Sequence, residues 1–293
     1  MMKNILLFGS TGLIGKSVNR TLCKGDNNII TFGRKKADYI IDLENFEPIS
    51  IKQETKVLIY CAGVTDEEII NNKNQAIKKN TVELVKLVEW AKEIGVEHFI
   101  YISSAHVYGD LNKELTPESK VAPKSLYSTL HLFAENYINS KFNKSTIIRP
   151  GAAYGEVSKK FNRWELIPFS FPRDLALNNK IIIKSHGMQE RNFISSSTIS
   201  KIIAHSIEKS IFGIINPVGH YSISILDFAN LCIKTIDERK SNNLNLKLEV
   251  LEKSSYVSKF NFMPNPNIEL PKEDKNLLKE HIYKLYKQIY ESK

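Results

Sequence analysis

Residues 4–15 read Asn-Ile-Leu-Leu-Phe-Gly-Ser-Thr-Gly-Leu-Ile-Gly. Residues 5–8 are all apolar, which is typical of a strand buried on both faces. Three glycines follow at intervals of three, and residues 16–22 have the pattern of an amphipathic helix. A strand, a glycine turn and a helix in this order predict a phosphate-binding turn, because N–H groups at a helix N-terminus attract anions and a Cβ would block the approach. A tight turn without a ligand is the alternative.

The glycine spacing is Gly-x-x-Gly-x-x-Gly rather than the Gly-x-Gly-x-x-Gly of most dinucleotide-binding folds. It resembles the extended short-chain dehydrogenase/reductase family of nucleotide-sugar epimerases, dehydratases and reductases. Further predicted strands cover residues 28–32, 39–43, 56–61, 97–103 and 145–148, with a helix at residues 80–94 among them. This alternation predicts an α/β fold, a Rossmann-type doubly wound parallel sheet. We expect residues 1–155 to form the NAD(P)-binding domain and residues 156–293 mostly a smaller C-terminal substrate-binding lobe, with segments around 181–220 returning to the core.

Composition narrows the class of protein. The chain has 293 residues and a formal net charge of +9, but its lysines are spread along the chain, which argues against a nucleic-acid partner and suits an anionic, phosphate-bearing substrate. No apolar run approaches the roughly 20 residues that cross a bilayer, so we expect no membrane partner. Cys23, Cys61 and Cys232 are scattered, which favours buried thiols in a reducing cytoplasm over disulfides or a metal site.

The second predicted strand runs into Gly-Arg-Lys-Lys at residues 33–36, without the carboxylate that accepts ribose hydrogen bonds in NAD-binding folds. Arg34 could hold a 2′-phosphate in a forked geometry. This favours NADP(H), with NAD(H) possible and a solvated basic turn as the alternative. The resemblance implies a larger set of cofactor-binding residues: Gly9, Thr11, Gly12, Leu13, Ile14, Gly15, Arg34, Asp42, Leu43, Cys61, Ala62, Gly63, Tyr127, His131 and Pro150.

The predicted catalytic residues come from two motifs. Residues 103–109, Ser-Ser-Ala-His-Val-Tyr-Gly, closely resemble the family's Ser-Ser-x-x-Val-Tyr-Gly, and Ser104 falls on the catalytic hydroxyl. Tyr127 opens Tyr-Ser-Thr-Leu-His, where the family pattern is Tyr-x-x-x-Lys. In the family the Tyr transfers the proton, the Ser holds the substrate oxygen, and the Lys binds the nicotinamide ribose and lowers the Tyr pKa. Here the fourth residue is His131.

The missing lysine affects the two directions of the reaction differently. An ordinary phenol is only about one part in a thousand ionised at neutral pH, and lowering its pKa to about 7 is worth roughly 4 kcal/mol. Oxidation of an alcohol needs tyrosinate, whereas reduction of a ketone uses the neutral phenol as the donor. The substitution should therefore harm a reductase least. A charged His131 could also replace the lysine, or the protein could have lost redox chemistry.

Three other segments bear on the substrate. Dehydratases of the family carry an Asp-Glu pair where this chain has Ala105-His106, so elimination lacks its acid and base. Many epimerases carry an Asn that is absent from Arg-Pro-Gly-Ala-Ala-Tyr-Gly at residues 149–155. Residues 187–194 match Gly-x-x-x-Arg-Asp-Phe-Ile except at Asn192, so the resemblance places Arg191 on the nucleotide part of the donor. The expected substrate contacts are Ser104, Ala105, His106 and Arg191.

These motifs together predict an NAD(P)-dependent oxidoreductase acting on a nucleotide-activated sugar, most simply a 4-keto sugar reductase. The alternatives are an NAD-dependent epimerase, a catalytically impaired binding homologue, and an enzyme of the same fold with a non-sugar substrate. The resemblance also implies a possible homodimer through the Tyr127 helix. Later segments predict a helix at residues 224–236 with Ser224 as N-cap, a strand at 246–251 and a helix at 273–290.

Overall fold

The computed structural model describes residues 4–25, 27–51, 54–158, 161–240, 245–252 and 260–292. The strands in these ranges are β1 (Asn4–Phe8), β2 (Asn28–Gly33), β3 (Tyr39–Ile40), β4 (Val57–Tyr60), β5 (His98–Ile102), β6 (Glu114–Leu115), β7 (Ser145–Ile148), β8 (Ala152–Tyr154), β9 (Lys180–Ile183), β10 (Glu190–Ser195), β11 (Gly213–Ile215), β12 (Tyr221–Ser224), β13 (Lys247–Val250) and β14 (Asn261–Phe262). The helices are α1 (Leu13–Leu22), α2 (Asp66–Asn71), α3 (Lys73–Lys78), α4 (Leu84–Glu93), α5 (Leu126–Lys141), α6 (Ile167–Asn178), α7 (Ser196–Lys209), α8 (Ile225–Arg239) and α9 (Leu277–Tyr290).

Within the described residues the main sheet has seven strands in the order β11-β7-β5-β4-β1-β2-β3, and every pair is parallel. The chain winds outward from β1 in one direction through β2 and β3, and in the other through β4, β5 and β7. The strand order therefore reverses between β1 and β4. In such sheets the crevice at the carboxyl ends of these two strands is where ligands bind. The predicted doubly wound parallel sheet is confirmed.

The apolar run of β1 is buried on both faces, as its sequence predicts. Leu6 and Phe8 belong to one apolar cluster, which α4 and α5 cover, whereas Ile5 and Leu7 belong to a second cluster, which α1 and α7 cover. All four side chains are fully buried. Alternate residues of one strand thus stabilise two layers of helices, which fixes β1 at the centre of the sheet.

The second half of the chain contributes to both parts of the fold. β11 adds to the edge of the main sheet beside β7, while β10 pairs with β8 and β12 in a separate sheet. A third apolar cluster joins α6, α8 and α9. The carboxylate of Glu273 accepts hydrogen bonds from the Tyr154 hydroxyl at 3.1 Å and from the backbone N–H groups of Ser195 and His220 at 2.5 and 2.9 Å. This side chain ties the C-terminal segment to β8, β10 and the approach to β12.

Several predicted boundaries need correction. The helix predicted at residues 273–290 begins at Leu277, because Glu273 is buried in the contacts just described. The third strand stops at Ile40, since the Asp42 carboxylate instead forms a turn with Glu44 N and Asn45 Nδ2. The helix predicted at residues 80–94 begins earlier and has three parts. α3 runs directly into a π-helical segment, Lys79–Glu83, which continues as α4.

Other predictions at the element level are confirmed. β7 covers residues 145–148, Ser224 caps α8 through a hydrogen bond from Asp227 N at 2.9 Å, and β13 lies within residues 246–251. The two-domain boundary stays a prediction. A homodimer through α5 also stays a prediction, although Phe133 on this helix is partly exposed and stacks on Tyr137.

Candidate active site

The turn after β1 is compressed to the point where side chains cannot enter. Gly9 has φ +77°, and a Cβ there would lie 2.9 Å from the Cys61 carbonyl. A Cβ on Gly15 would lie only 2.1 Å from the Gly9 carbonyl oxygen. Gly12 N donates to Gly9 O at 3.0 Å and closes the turn. The three glycines therefore allow α1 to start directly against the carboxyl ends of β1 and β4.

This turn fits the phosphates of a dinucleotide. The first turn of α1 has no acidic residue, and its N-cap Gly12 offers no side chain to occupy the helix N–H groups. The Ser10 hydroxyl is buried and has no hydrogen-bond partner among the described residues. Thr11, Leu13 and Ile14 are exposed or half-buried around it. A phosphate would satisfy both the free N–H groups and the orphaned hydroxyl.

The predicted adenine end lies at the other side of the crevice. Hydrogen bonds from Asn45 and Glu44 hold the pKa of the Asp42 carboxyl below its usual value, and the positive charges of Lys78 and Arg34 add to this effect. The Arg34 side chain is exposed and lies near enough to act on the Asp42 carboxyl. Among the described residues it forms no ion pair. Leu43 packs partly against the core. Since both Asp42 oxygens are engaged locally, its contact with adenine stays a prediction.

Ser104 and Tyr127 meet at the carboxyl end of β5. Ser104 caps a short 3₁₀ turn, Ala105–Tyr108, by accepting a hydrogen bond from His106 N at 3.2 Å. Tyr127 is the second residue of α5, whose start is fixed by a capping box between Ser125 and Ser128. The Ser104 hydroxyl lies near that of Tyr127 and lowers the pKa of the phenol. The two predicted catalytic hydroxyls are therefore neighbours at this end of the sheet.

His131 lies one turn further along α5 and faces the same crevice. Its ring packs edge-on against Tyr127 with centroids 4.6 Å apart, and its Nδ1 is 2.7 Å from the Tyr101 hydroxyl. Gly63 lies opposite the His131 ring. A Cβ at this position would be 3.0 Å from His131 Cε1, so there is little room for any residue larger than glycine. Cys61 and Ala62 lead into Gly63 from the end of β4, as predicted.

The hypothesis of a charged His131 needs correction. The side chain is 3% exposed, and burial lowers its pKa to about 3, although the Val64 backbone favours the charged form. The imidazole is therefore neutral at physiological pH. Its Nε2 is enclosed and has no hydrogen-bond partner among the described residues. A ribose hydroxyl could be that partner, so the neutral ring fits a cofactor as a hydrogen-bonding group rather than as a cation.

Tyr127 is also neutral at physiological pH. Burial raises the pKa of its phenol, while the hydrogen bond with Ser104 and the positive charge of Arg163 lower it, and the negative charge of Asp66 raises it. The ring packs against Val64 and is only partly buried. A neutral phenol in contact with an open crevice is suited to give a proton rather than to take one.

The predicted substrate residues line the next part of the crevice. The His106 ring is edge-on to Tyr127 with centroids 6.0 Å apart, and burial and the nearby Arg191 guanidinium lower its pKa. Arg191 is half-buried, donates to Glu190 O at 2.7 Å, and forms no ion pair with a carboxylate of the described residues. Ala105 is buried beneath them, where its N–H donates to Pro150 O at 2.9 Å. Pro150 is thereby held beside the catalytic turn.

A buried ion pair behind the site was missed from the sequence. Arg149 donates to Glu135 from Nε at 3.0 Å and from Nη2 at 2.6 Å, and the Ser103 hydroxyl also bonds to this carboxylate. Glu135 follows Tyr127 and His131 at four-residue intervals, which places all three on one face of α5. That spacing was the signal available in the sequence. The pair ties the catalytic helix to the ends of β5 and β7.

A second missed residue is Arg163, which no motif indicated. It precedes α6, in the segment that enters the second half of the chain, and its charge acts on both Tyr127 and His131. A long-range contact of this kind leaves no periodic pattern in the sequence.

A profile of the NAD dependent epimerase/dehydratase family matches residues 5–222. The chain belongs to this family. A curated family relative, dTDP-D-glucose 4,6-dehydratase of Mus musculus, is 24% identical over 306 residues, which cover 94% of this chain and 82% of the relative. The solved structure of UDP-N-acetylglucosamine 4-epimerase from Methanobrevibacter ruminantium M1, in complex with UDP-N-acetylmuramic acid, is similar with a TM-score of 0.80 at 17% identity, over 100% of this chain and 99% of that one.

A dTDP-4-dehydrorhamnose reductase from Bacillus anthracis str. Ames, in complex with NADP, is similar with a TM-score of 0.71 at 17% identity, over 98% of this chain and 99% of that one. At these identities the solved structures confirm the fold of this family member. In the described part of the chain, no helix is long and apolar enough to cross a membrane. The same residues hold no cluster of three or more side chains suited to bind a metal ion.

Proposed function

We propose that this family member is a reductase that uses NADP(H) to reduce a nucleotide-linked 4-keto sugar. The observation that carries the proposal is a half-buried Tyr127 phenol, with Ser104 near its hydroxyl, beside a His131 that is buried and neutral. Burial raises the pKa of the phenol and no charge on His131 offsets this effect, so the phenol stays protonated, as a proton donor must be. Both the reductase and the epimerase among the similar structures act on nucleotide-linked sugars according to their names, which supports the substrate class.

In the proposed reaction a ketone becomes an alcohol. The bound reduced nicotinamide would supply the hydride to the carbonyl carbon. Tyr127 gives its phenolic proton to the carbonyl oxygen as the C=O π bond breaks, and a phenolate remains. Ser104 orients that oxygen by a hydrogen bond, and Arg191 offers a guanidinium to the negative charge of the diphosphate.

The cofactor preference rests on the corner around Arg34. This guanidinium is exposed at the end of β2, where the segment offers positive charge and a 2′-phosphate would sit. The nearest carboxylate after β2 is Asp38, which already accepts from Thr31 N and Oγ1 at 2.8 and 2.7 Å. One oxygen of this carboxylate is therefore already engaged within the protein. NADP(H) is the proposed cofactor, with NAD(H) as the alternative.

The other reactions of the family suit this site less well. The curated relative is a dehydratase by name, but here Ala105 and His106 occupy the positions where the resemblance expects an acid and a base. An epimerase needs an oxidative half-reaction, and that step needs the tyrosinate which burial disfavours. A binding protein without turnover is the remaining alternative, since His131 has replaced the family's lysine.

The test is to compare Tyr127→Phe with Tyr137→Phe, which replaces a half-buried tyrosine of the same helix whose hydroxyl bonds to Glu89 on α4. The assay follows NADPH absorbance with a panel of nucleotide-linked 4-keto sugars, and thermal unfolding with NADPH or NADH reports cofactor binding. We expect Tyr127→Phe to lose about 10²- to 10⁴-fold in turnover while it still binds cofactor, and Tyr137→Phe to behave as wild type. Unchanged turnover in Tyr127→Phe would contradict the mechanism. Cofactor binding without turnover in the wild type would favour the binding protein.

A further inference from the structure

On α5 the position four residues after Tyr127 carries no positive charge. In the family pattern a lysine four residues after the tyrosine supplies the charge, but His131 is neutral in this protein. A phenolate that forms next to a neutral imidazole in a partly buried crevice would lack a counter-charge. Besides Arg191, which acts on His106, two cations from other segments act on Tyr127 or His131, namely Lys79 and Arg163.

Lys79 is a poor source of that charge. Its Nζ forms an ion pair with Glu68 at 2.6 Å, and the lysine side chain is only 9% exposed. Glu68 also accepts from Thr65 N in the capping box of α2, so this carboxylate is held in place. The charge of Lys79 is therefore largely neutralised by a fixed partner.

Arg163 differs in both respects. Among the described residues it forms no ion pair, and its Nε is enclosed without a hydrogen-bond partner. The neighbouring Asn162 donates to Glu67 at 2.5 Å in the first turn of α2. Since α2 begins just after Val64, and Val64 belongs to the apolar cluster against which Tyr127 packs, this bond ties the Arg163 segment to the side of the site that α2 forms.

We propose that Arg163 supplies the positive charge beside the Tyr127 hydroxyl that the family pattern assigns to lysine. This inference rests on the proposed function for its chemical use, but the charge itself can be measured without substrate. When Tyr127 gives up its proton, the guanidinium would stabilise the phenolate that remains. Arg163 belongs to the second half of the chain. The site would therefore have this positive charge only when the second half is folded against the main sheet.

Other groups around the phenol set the background for the test. Ser104, at the start of the 3₁₀ turn, lowers the pKa of the phenol as Arg163 does, whereas the carboxylate of Asp66 at the start of α2 raises it. The His106 and His131 rings pack on either side, and burial lowers the pKa of both. Within the described residues, Arg163 is thus a positive charge acting on Tyr127 that forms no ion pair with a carboxylate.

The experiment is a titration of Tyr127 by NMR in the full-length protein, with carbon-13 at the tyrosine ζ position. The Tyr127 signal is the one missing from Tyr127→Phe, and circular dichroism sets the upper pH limit. We expect Arg163→Met to move the titration to higher pH and Arg163→Lys to restore it. Arg173→Met is the matched control, because this arginine stacks on the neighbouring Trp164 and should leave the titration unchanged. Each unit of upward shift lowers the ionised fraction about tenfold at a given pH.

An unchanged titration in Arg163→Met, or a shift in Lys79→Met instead, would overturn the proposal. Arg163→Gln serves if the methionine variant does not fold. Turnover of the wild type is assayed separately. If no nucleotide-linked keto sugar is reduced but the titration still depends on Arg163, the proposed reaction fails and the charge assignment stands.

Discussion

The turn after β1 and the buried face of α5 lie at the same edge of the main sheet, but they are held in different ways. The turn depends on backbone approaching backbone, with Gly15 so close to Gly9 that no Cβ fits. The α5 face depends on side chains from distant segments, such as Tyr101 on His131 and Arg149 on Glu135. The first arrangement tolerates no substitution at its contacts. In the second arrangement one side chain can be replaced by another from a different segment. In the proposed mechanism this is how α5, without the family's lysine, would still hold a proton donor.

The sharpest test of the backbone-held region is Gly15→Ala. The new methyl group would lie 2.1 Å from the Gly9 carbonyl oxygen, so α1 must move away from β1. We expect a loss of more than about 4 kcal/mol in the free energy of unfolding, together with the loss of cofactor binding. Urea unfolding and thermal shift with NADPH measure the two effects.

Gly25→Ala is the control, because a Cβ there has no neighbour closer than 3.5 Å. It should change stability little. A Gly15→Ala protein with normal stability and normal cofactor binding would mean that the turn is not compressed in solution.

The same difference explains what could be predicted from the sequence. The glycine turn was predictable because the need for glycine arises from backbone atoms that leave no room for a Cβ at those positions. The nearness of Ser104 to Tyr127 could be expected from two motifs of fixed spacing, whereas their catalytic roles stay a prediction. The partners of His131 and Glu135 were not predictable in this way, since Tyr101 lies 30 residues before His131 and Arg149 lies 14 residues after Glu135. Only the folded sheet brings such side chains together.

A test of the region held by side chains is Arg149→Met. The variant leaves the Glu135 carboxylate buried without its cation, and the two side chains are only 2% and 4% exposed. Breaking such a pair costs about 3–5 kcal/mol in the free energy of unfolding, which urea unfolding would measure. Because the pair anchors the catalytic helix, we also expect turnover to fall.

The double variant Arg149→Met with Glu135→Leu should recover part of that stability, since no charge is then left unpaired. Glu156→Gln at the exposed pair with Arg20 is the control and should cost no more than about 1 kcal/mol. An equal, small loss at both sites would show that the buried pair does not hold α5.

Near neutral pH, the smallest expected effect comes from the protonation of His131. Its pKa is about 3 in the folded protein against 6.5 for the ordinary side chain, so the unfolded chain binds this proton first as the pH falls. The contribution is fully present above pH 6.5 and is lost between 6.5 and 3 with a slope of up to about 1.4 kcal/mol per pH unit. His131→Gln should therefore show a shallower loss of stability on acidification than wild type, as measured by urea unfolding at a series of pH values.

His281 in α9 is the comparison, because burial also lowers the pKa of this side chain, to about 4. His281→Gln should remove a separate share of the pH dependence, and the two effects should add. If His131→Gln keeps the full wild-type slope, the folded imidazole binds its proton as readily as the unfolded one, and as the pH falls the phenol beside it would gain a cation on α5.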